Sequence, residues 1–189
     1  MPTESTMMPL GTKVSHFNLN TYDGNVVSLD EFEGSKALLV VFLANHCPYA
    51  RHIEGSLGSL VAEYQDKGVA AVGVSSNDVA QAPEDGPDGM REQAERAGFT
   101  FPYLYDEDQS VARAFGAACT PDIFLFDQNQ ELVYRGQMDS SRPKNTDPVT
   151  GEDLRRALDA VLAGEPPVAE QRPSIGCGID WKPGNEPRQ

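Results

Sequence analysis

Residues Lys36-Ala-Leu-Leu-Val-Val-Phe-Leu-Ala44 run without apolar–polar alternation and lead straight into Asn45-His-Cys-Pro-Tyr-Ala-Arg-His52. A continuous apolar run of this length predicts a strand buried on both faces. Beyond it, Ala50, Ile53, Leu57, Leu60, Val61 and Tyr64 recur at helical spacing over Pro48 to Lys67, and Gly68 supplies a stop. Val69-Ala-Ala-Val-Gly-Val-Ser75 is a second buried strand. Strand, helix and strand in this order form a β-α-β unit, which places two parallel neighbours in the middle of a sheet. Gly55 and Gly58 fall inside the helix, where each costs about 1 kcal/mol relative to Ala, and the sequence offers no reason for them.

Upstream, Val14-Ser-His-Phe-Asn-Leu-Asn20 alternates, Asp23-Gly24 turns, and Val26-Val-Ser-Leu29 returns as a hairpin. Downstream, an acidic, proline-bearing stretch from Ala82 to Gly89 precedes a short helix, Met90 to Ala97, and a brief strand, Phe101 to Tyr105. Ser110 to Phe115 reads as a helical turn or two. Asp122-Ile-Phe-Leu-Phe-Asp127 and Glu131-Leu-Val-Tyr-Arg135 flank Gln128-Asn-Gln130 as an antiparallel pair. Leu154, Ala157, Leu158, Val161 and Leu162 share one face of a last helix, with Thr150 as the expected N-cap. After Gly164 the chain turns proline-rich and loses its periodicity. The expected organisation is an extension over 1–13, an α/β sandwich with a mixed sheet over 14–163, and a tail over 164–189 that docks on it.

Composition narrows the function. A chain of 189 residues with 39% hydrophobic content is enough for one core. The longest uncharged apolar run, Ala37 to Ala44, is far short of the roughly 18 residues of a membrane span. Fifteen basic against 29 acidic residues give a net charge of -14, which argues against nucleic acid and anionic membranes as partners. Met1 to Thr12 holds no apolar signal region and the cysteines number three, so a cytoplasmic location and thiol chemistry or inert burial are expected rather than a disulfide scaffold. Glu84, Asp85 and Asp88, and Asp106, Glu107 and Asp108, read as solvated loop charge. No phosphate loop or serine-hydrolase elbow is present, and His46, Cys47, His52 and Cys177 lack metal-ligand spacing, so neither cofactor nor metal is expected.

Cys47 is the most informative residue. It ends a buried strand and precedes Pro48, favoured at the first helical position. A sulfur there faces unpaired N–H groups and the positive end of the helix dipole, which favours thiolate over thiol. His46, His52 and Arg51 would add positive charge. A capping cysteine in an apolar pocket is the competing reading. Thr120-Pro121 opens a central strand, and Cys119 would sit on the rim of the same site or be a bystander. Cys177 lies in Ser174-Ile-Gly-Cys-Gly-Ile-Asp-Trp181, where Ile175, Ile179 and Trp181 call for docking and the flanking glycines free the backbone to bring the sulfur to a partner.

Asn45 to His52, Ala118-Cys-Thr-Pro-Asp-Ile-Phe-Leu-Phe-Asp127, Arg135-Gly-Gln137, Asp139-Ser-Ser-Arg-Pro143 and Pro173 to Pro187 together resemble the peroxiredoxin-like branch of the thioredoxin superfamily, grouped with alkyl hydroperoxide reductases and thiol-specific antioxidant proteins. The resemblance runs from about Val14 to Pro187. It implies a thioredoxin-like three-layer α/β/α sandwich, a cis Thr120–Pro121 bond, and Cys47 as the attacking thiol. It also implies that His46, Pro48, Thr120 and Pro121 line the substrate groove, with the Thr120 backbone offered to an extended peptide. The implied partners are a disulfide-containing protein or a hydroperoxide, and a thiol donor such as a thioredoxin. Ala50 stands where a thioredoxin carries its second cysteine and where a peroxiredoxin carries its peroxidatic one; counting back from Cys47 gives Ala44 and Val40 in place of the peroxiredoxin Thr and Pro.

The leading expectation is therefore a thiol–disulfide oxidoreductase with Cys47 as nucleophile and Cys177 or Cys119 as resolving thiol. A thiol peroxidase and a non-catalytic binding or sensing module are the alternatives. A body of about 160 residues is roughly 40 Å across. The thirteen residues from Gly164 to Gly176 reach about 45 Å when extended, so a Cys47–Cys177 clamp is within range. Cys47–Cys119 is the competing pair.

Overall fold

The computed structural model describes residues 2–188; Met1 and Gln189, the outer ends of the extension and tail, lie outside the described residues. In chain order the elements are β1 (Pro2–Glu4), β2 (Asn18–Thr21), β3 (Val26–Ser28), β4 (Ala37–Phe42), α1 (Pro48–Gln65), β5 (Val69–Ser75), α2 (Pro87–Ala97), β6 (Tyr103–Tyr105) and α3 (Ser110–Phe115). They continue with β7 (Cys119–Thr120), β8 (Asp122–Asp127), β9 (Leu132–Arg135), α4 (Glu152–Leu162) and β10 (Ile175–Gly178).

Seven strands form one sheet in the order β3-β2-β6-β5-β4-β8-β9, with β4–β5 and β5–β6 parallel and the other pairs antiparallel. β4 lies between β5 and β8, and all six of its residues are buried. Leu39 and Val41 face a core shared with α1, α2 and α4. Leu38, Val40 and Phe42 face a second core with α3, where Phe42, Phe115 and Phe124 meet edge to face at 5.4–5.7 Å. Both faces of the strand are thus covered by apolar side chains, which is why its sequence does not alternate. The result is the expected thioredoxin-like α/β/α sandwich, and it puts the end of β4 and the start of α1 at one rim of the sheet. Among the described residues no helix is long and apolar enough to cross a membrane.

Several local expectations change. α2 starts at Pro87 rather than Met90, because a proline in the first turn needs no N–H partner. The N-cap of α4 is Gly151, at φ 69°, and not Thr150, whose hydroxyl accepts from the Glu152 amide at 3.2 Å. Of the acids read as solvated charge, Glu84, Asp88, Glu107 and Asp108 are exposed, but Asp85 and Asp106 are completely buried. Asp106 accepts from the Val111 and Ala112 amides (3.1 and 2.8 Å), satisfying free N–H groups at the start of α3, and from the Ser76 hydroxyl (2.7 Å). Burial still raises its pKa above the ordinary value, against the pull of those three bonds.

The tail is not merely docked. β10 is the middle strand of a second sheet, β1-β10-β7, pairing Cys177 with Pro2 on one side and with Thr120 on the other. Ile179 is buried and Trp181 packs beside it against the second core.

Gly58 now has a reason: a Cβ there would lie 2.5 Å from the Ala97 carbonyl oxygen at the end of α2. Around Gly55 the space is open, and nothing in the structure explains it. Gly55→Ala should therefore stabilise the protein by about 0.5–1 kcal/mol. Gly58→Ala should destabilise it by about 1–2 kcal/mol, the close approach outweighing the gain in helix propensity. Urea unfolding of the two variants checks the opposite signs.

Candidate active site

Cys47 is the N-cap of α1 and Pro48 is its first residue. The buried strand β4 points the chain toward this rim, and proline starts the helix there because it has no N–H to leave unpaired. The expected contact between the sulfur and the first-turn amides is absent: the Cys47 side chain makes no capping hydrogen bond. It turns instead toward the loop before β8, where the thiol donates to the Thr120 carbonyl oxygen at 3.2 Å. The Cys177 Sγ lies 2.8 Å from the Cys47 Sγ, and both are free thiols. The Thr120–Pro121 bond is cis, as the resemblance implied.

The groove beside Thr120 is occupied. In antiparallel register, Cys177 pairs with Thr120 and Gly178 with Cys119, so the tail takes the place expected for an extended peptide. Gly176 makes this fit possible, since a Cβ there would lie 1.9 Å from the Thr120 carbonyl oxygen. Cys47 is fully buried beneath the tail, whereas Cys177 is partly exposed. Burial, and then the Cys47 thiol beside it, pushes the Cys177 thiol up to about 12.

Cys119 does not sit on the rim. It is fully buried, with its sulfur 3.6 Å from the Pro121 carbonyl oxygen, and burial followed by the nearby Asp122 carboxylate pushes its thiol far above the ordinary range. The side chains neighbouring Cys47 in sequence have partners of their own. The Arg51 Nε donates to the Asn45 carbonyl oxygen at 2.6 Å, and a ring nitrogen of His52 bonds the Ser141 hydroxyl at 2.7 Å. His46 bonds through Nδ1 to Asp85, whose carboxylate also accepts from the His46 amide and from the Asn77 side chain, each at 2.9 Å.

His46, Asp85 and Asp180 bring potential metal-ligating atoms within 4.8 Å of one another. The first two are already committed to each other. Burial raises the Asp180 carboxyl, with His46 opposing and Asp85 and Asp78 adding to the rise.

Three site-supporting residues escaped the sequence reading. Asp85 is one, hidden inside an acidic loop. The others are Asp122 and Arg135, a buried ion pair at 3.0 Å in which both side chains are at most 1% exposed. Asp122 also accepts from the Ala118 amide at 2.9 Å, and Arg135 donates to the Gly116 carbonyl oxygen at 3.0 Å while its guanidinium lies over the Phe124 ring. Together they tie residues 116–122, and so Thr120 and Pro121, to β8 and β9. An acid opening an otherwise apolar strand and a cation closing the next were the available signals.

A family model described as AhpC/TSA matches residues 10–135. The chain belongs to the AhpC/TSA family. The match takes in Cys47, the cis proline and the Asp122–Arg135 pair, and stops short of the tail that supplies Cys177. A crystal structure of an uncharacterized conserved protein from Geobacillus kaustophilus is 50% identical with a TM-score of 0.94, covering 97% of this chain and 98% of that one. Thiol-disulfide oxidoreductase ResA from Geobacillus thermodenitrificans is 25% identical over 161 residues, 84% of this chain and 82% of the relative. A thiol:disulfide interchange protein of the thioredoxin family from Chlorobium tepidum, 20% identical with a TM-score of 0.63 over 82% of this chain and 99% of that one, shares the fold.

Removing one partner of a fully buried ion pair strands the other charge. Arg135→Met should lower stability by about 3–5 kcal/mol, and the added change Asp122→Leu should recover at least half of it; urea midpoints of the single and double variants test this. Iodoacetamide applied to the native reduced protein should label the partly exposed Cys177 faster at pH 9 than at pH 7 and spare Cys119 until denaturant is added, read by peptide mass mapping.

Proposed function

We propose that this protein is a thiol–disulfide oxidoreductase in which Cys47 and Cys177 cycle between dithiol and disulfide. The observation that carries the reading is the 2.8 Å separation of their sulfurs, held in place by backbone pairing between β7 and β10. The Cys47 thiolate attacks one sulfur of a substrate disulfide, forming a mixed disulfide and releasing the first substrate thiolate. Cys177 then attacks the Cys47 sulfur, closing the internal disulfide and releasing the second. The substrate gains two electrons, the dithiol loses two, and the two cysteine protons end on the departing thiolates. Reaching Cys47 requires the tail to lift, after which the groove formed by His46, Pro48, Thr120 and Pro121 receives the substrate. Cys119 takes no part. A thiol donor reduces the internal disulfide and completes the cycle. The name of the ResA relative supports the same chemistry.

One observation favours a second reading, a thiol peroxidase. Cys47 is sealed, so a small hydroperoxide reaches it more readily than a folded protein disulfide, and the buried Thr120 hydroxyl has no hydrogen-bond partner. Against it, Ala44 and Val40 occupy the positions of the peroxiredoxin Thr and Pro.

Reduction of insulin disulfides should fall at least a hundredfold in Cys47→Ser, and Cys177→Ser should accumulate a mixed disulfide on Cys47. In the closed site burial and the Cys47 thiol hold the Cys177 thiol above its ordinary range; since the thiolate is the attacking form, its resolving step should accelerate as pH rises from 7 to 9. Hydroperoxide consumption without insulin reduction would favour the peroxidase, and a pH-independent resolving step would remove Cys177 from its role.

A further inference from the structure

The two sulfurs differ in what can touch them. Cys47 is completely buried, whereas Cys177 forms part of the wall of an open pocket of about 510 Å³ that Cys47 does not line. Pro48 and Tyr49 at the start of α1, together with Pro143, supply apolar ring surface to this pocket. Lys144 and Asp180 are the charged residues among its lining, one of each sign. Pockets of this volume suit small molecules held by apolar walls and a few polar groups.

Strand pairing decides how large the visitor is. β10 is the central strand of β1-β10-β7, so both of its backbone edges are already in use. A protein thiol that docks by adding a strand finds no free edge at Cys177. A small thiol needs none.

We propose that this pocket binds a low-molecular-weight thiol carrying both a carboxylate and an ammonium group, and that electrons enter the oxidised site through Cys177 rather than Cys47. The inference rests on the dithiol–disulfide cycle proposed above and names its donor. The bound thiolate attacks the Cys177 sulfur, the Cys177–Cys47 bond breaks, and Cys47 leaves as thiolate and takes up a proton. A second thiolate attacks the sulfur of the bound donor and releases Cys177, which is protonated in turn. Two small thiols become one small disulfide, and the internal disulfide becomes a dithiol. Lys144 holds the carboxylate of the donor and Asp180 its ammonium group, a pairing that also offsets the repulsion of an anionic thiol by a chain of net charge -14.

The test starts from full-length protein whose Cys47–Cys177 disulfide has been verified by non-reducing peptide mapping. Its reduction is followed with glutathione as the zwitterionic probe and 2-mercaptoethanol as the uncharged one. An alkylating quench part-way should yield glutathione on the Cys177 peptide with Cys47 alkylated. Lys144→Glu should lower the ratio of the glutathione to the 2-mercaptoethanol rate constant about tenfold. Glutathione on the Cys47 peptide, or a ratio unmoved by Lys144→Glu, overturns the assignment. So does reduction by a thioredoxin with small thiols no faster than on an unstructured peptide disulfide, which leaves the proposed activity standing. Failure of Cys47 and Cys177 to pair on oxidation overturns the activity and this inference together.

Discussion

The close approach of Gly176 to the Thr120 carbonyl oxygen is the constraint on which the site depends. An added Cβ would lie 1.9 Å from that oxygen, so only glycine lets β10 lie in register beside β7. The register then does two things at once. It sets Cys177 opposite Thr120, whose carbonyl also receives the Cys47 thiol, and it fills the edge where an extended peptide would pair. Sulfur juxtaposition and groove occupancy are therefore one structural fact.

The wall that receives the tail is itself held by charge buried far from water. Asp122 and Arg135 satisfy one another and, through Ala118 and Gly116, the backbone of the loop that carries the cis proline. Such a pair contributes little net stability against well-packed apolar residues, but its directional bonds fix a loop that apolar contacts alone would leave several ways to sit. On the other side of Cys47, Asp85 plays a comparable part, receiving the His46 ring, the His46 amide and Asn77 in a fully buried position. Both faces of the site thus rest on carboxylates inside the protein.

Much of the fold was legible because it depends on local pattern. The unalternating run that became β4, the helical spacing of Ala50 to Tyr64 and the strand Val69–Ser75 each announce their own burial. Asp85 and Asp106 were misread because a buried acid looks like a solvated one until its hydrogen-bond donors are known, and these come from residues up to 39 positions away. β10 was invisible to periodicity since its pattern, Ile-Gly-Cys-Gly, records close backbone approach rather than a buried face. The partners of the cations beside Cys47 were hidden for a related reason. His46 and Arg51 are neighbours in sequence, and their hydrogen-bond partners are the Asp85 carboxylate and the Asn45 carbonyl.

The 130 positions separating Cys47 from Cys177 also carry a consequence in time. Chains are synthesised at about 5–20 residues per second, so roughly 6–26 seconds pass between the emergence of the two cysteines. Through that interval β4, α1 and β5 can already form from contacts close in sequence, while the cradle for the tail stands empty and the first thiol is uncovered. A nascent chain of this protein is consequently a different chemical object from the finished one: its sulfur is open to any passing electrophile, and only the arrival of the glycine-flanked cysteine ends that exposure.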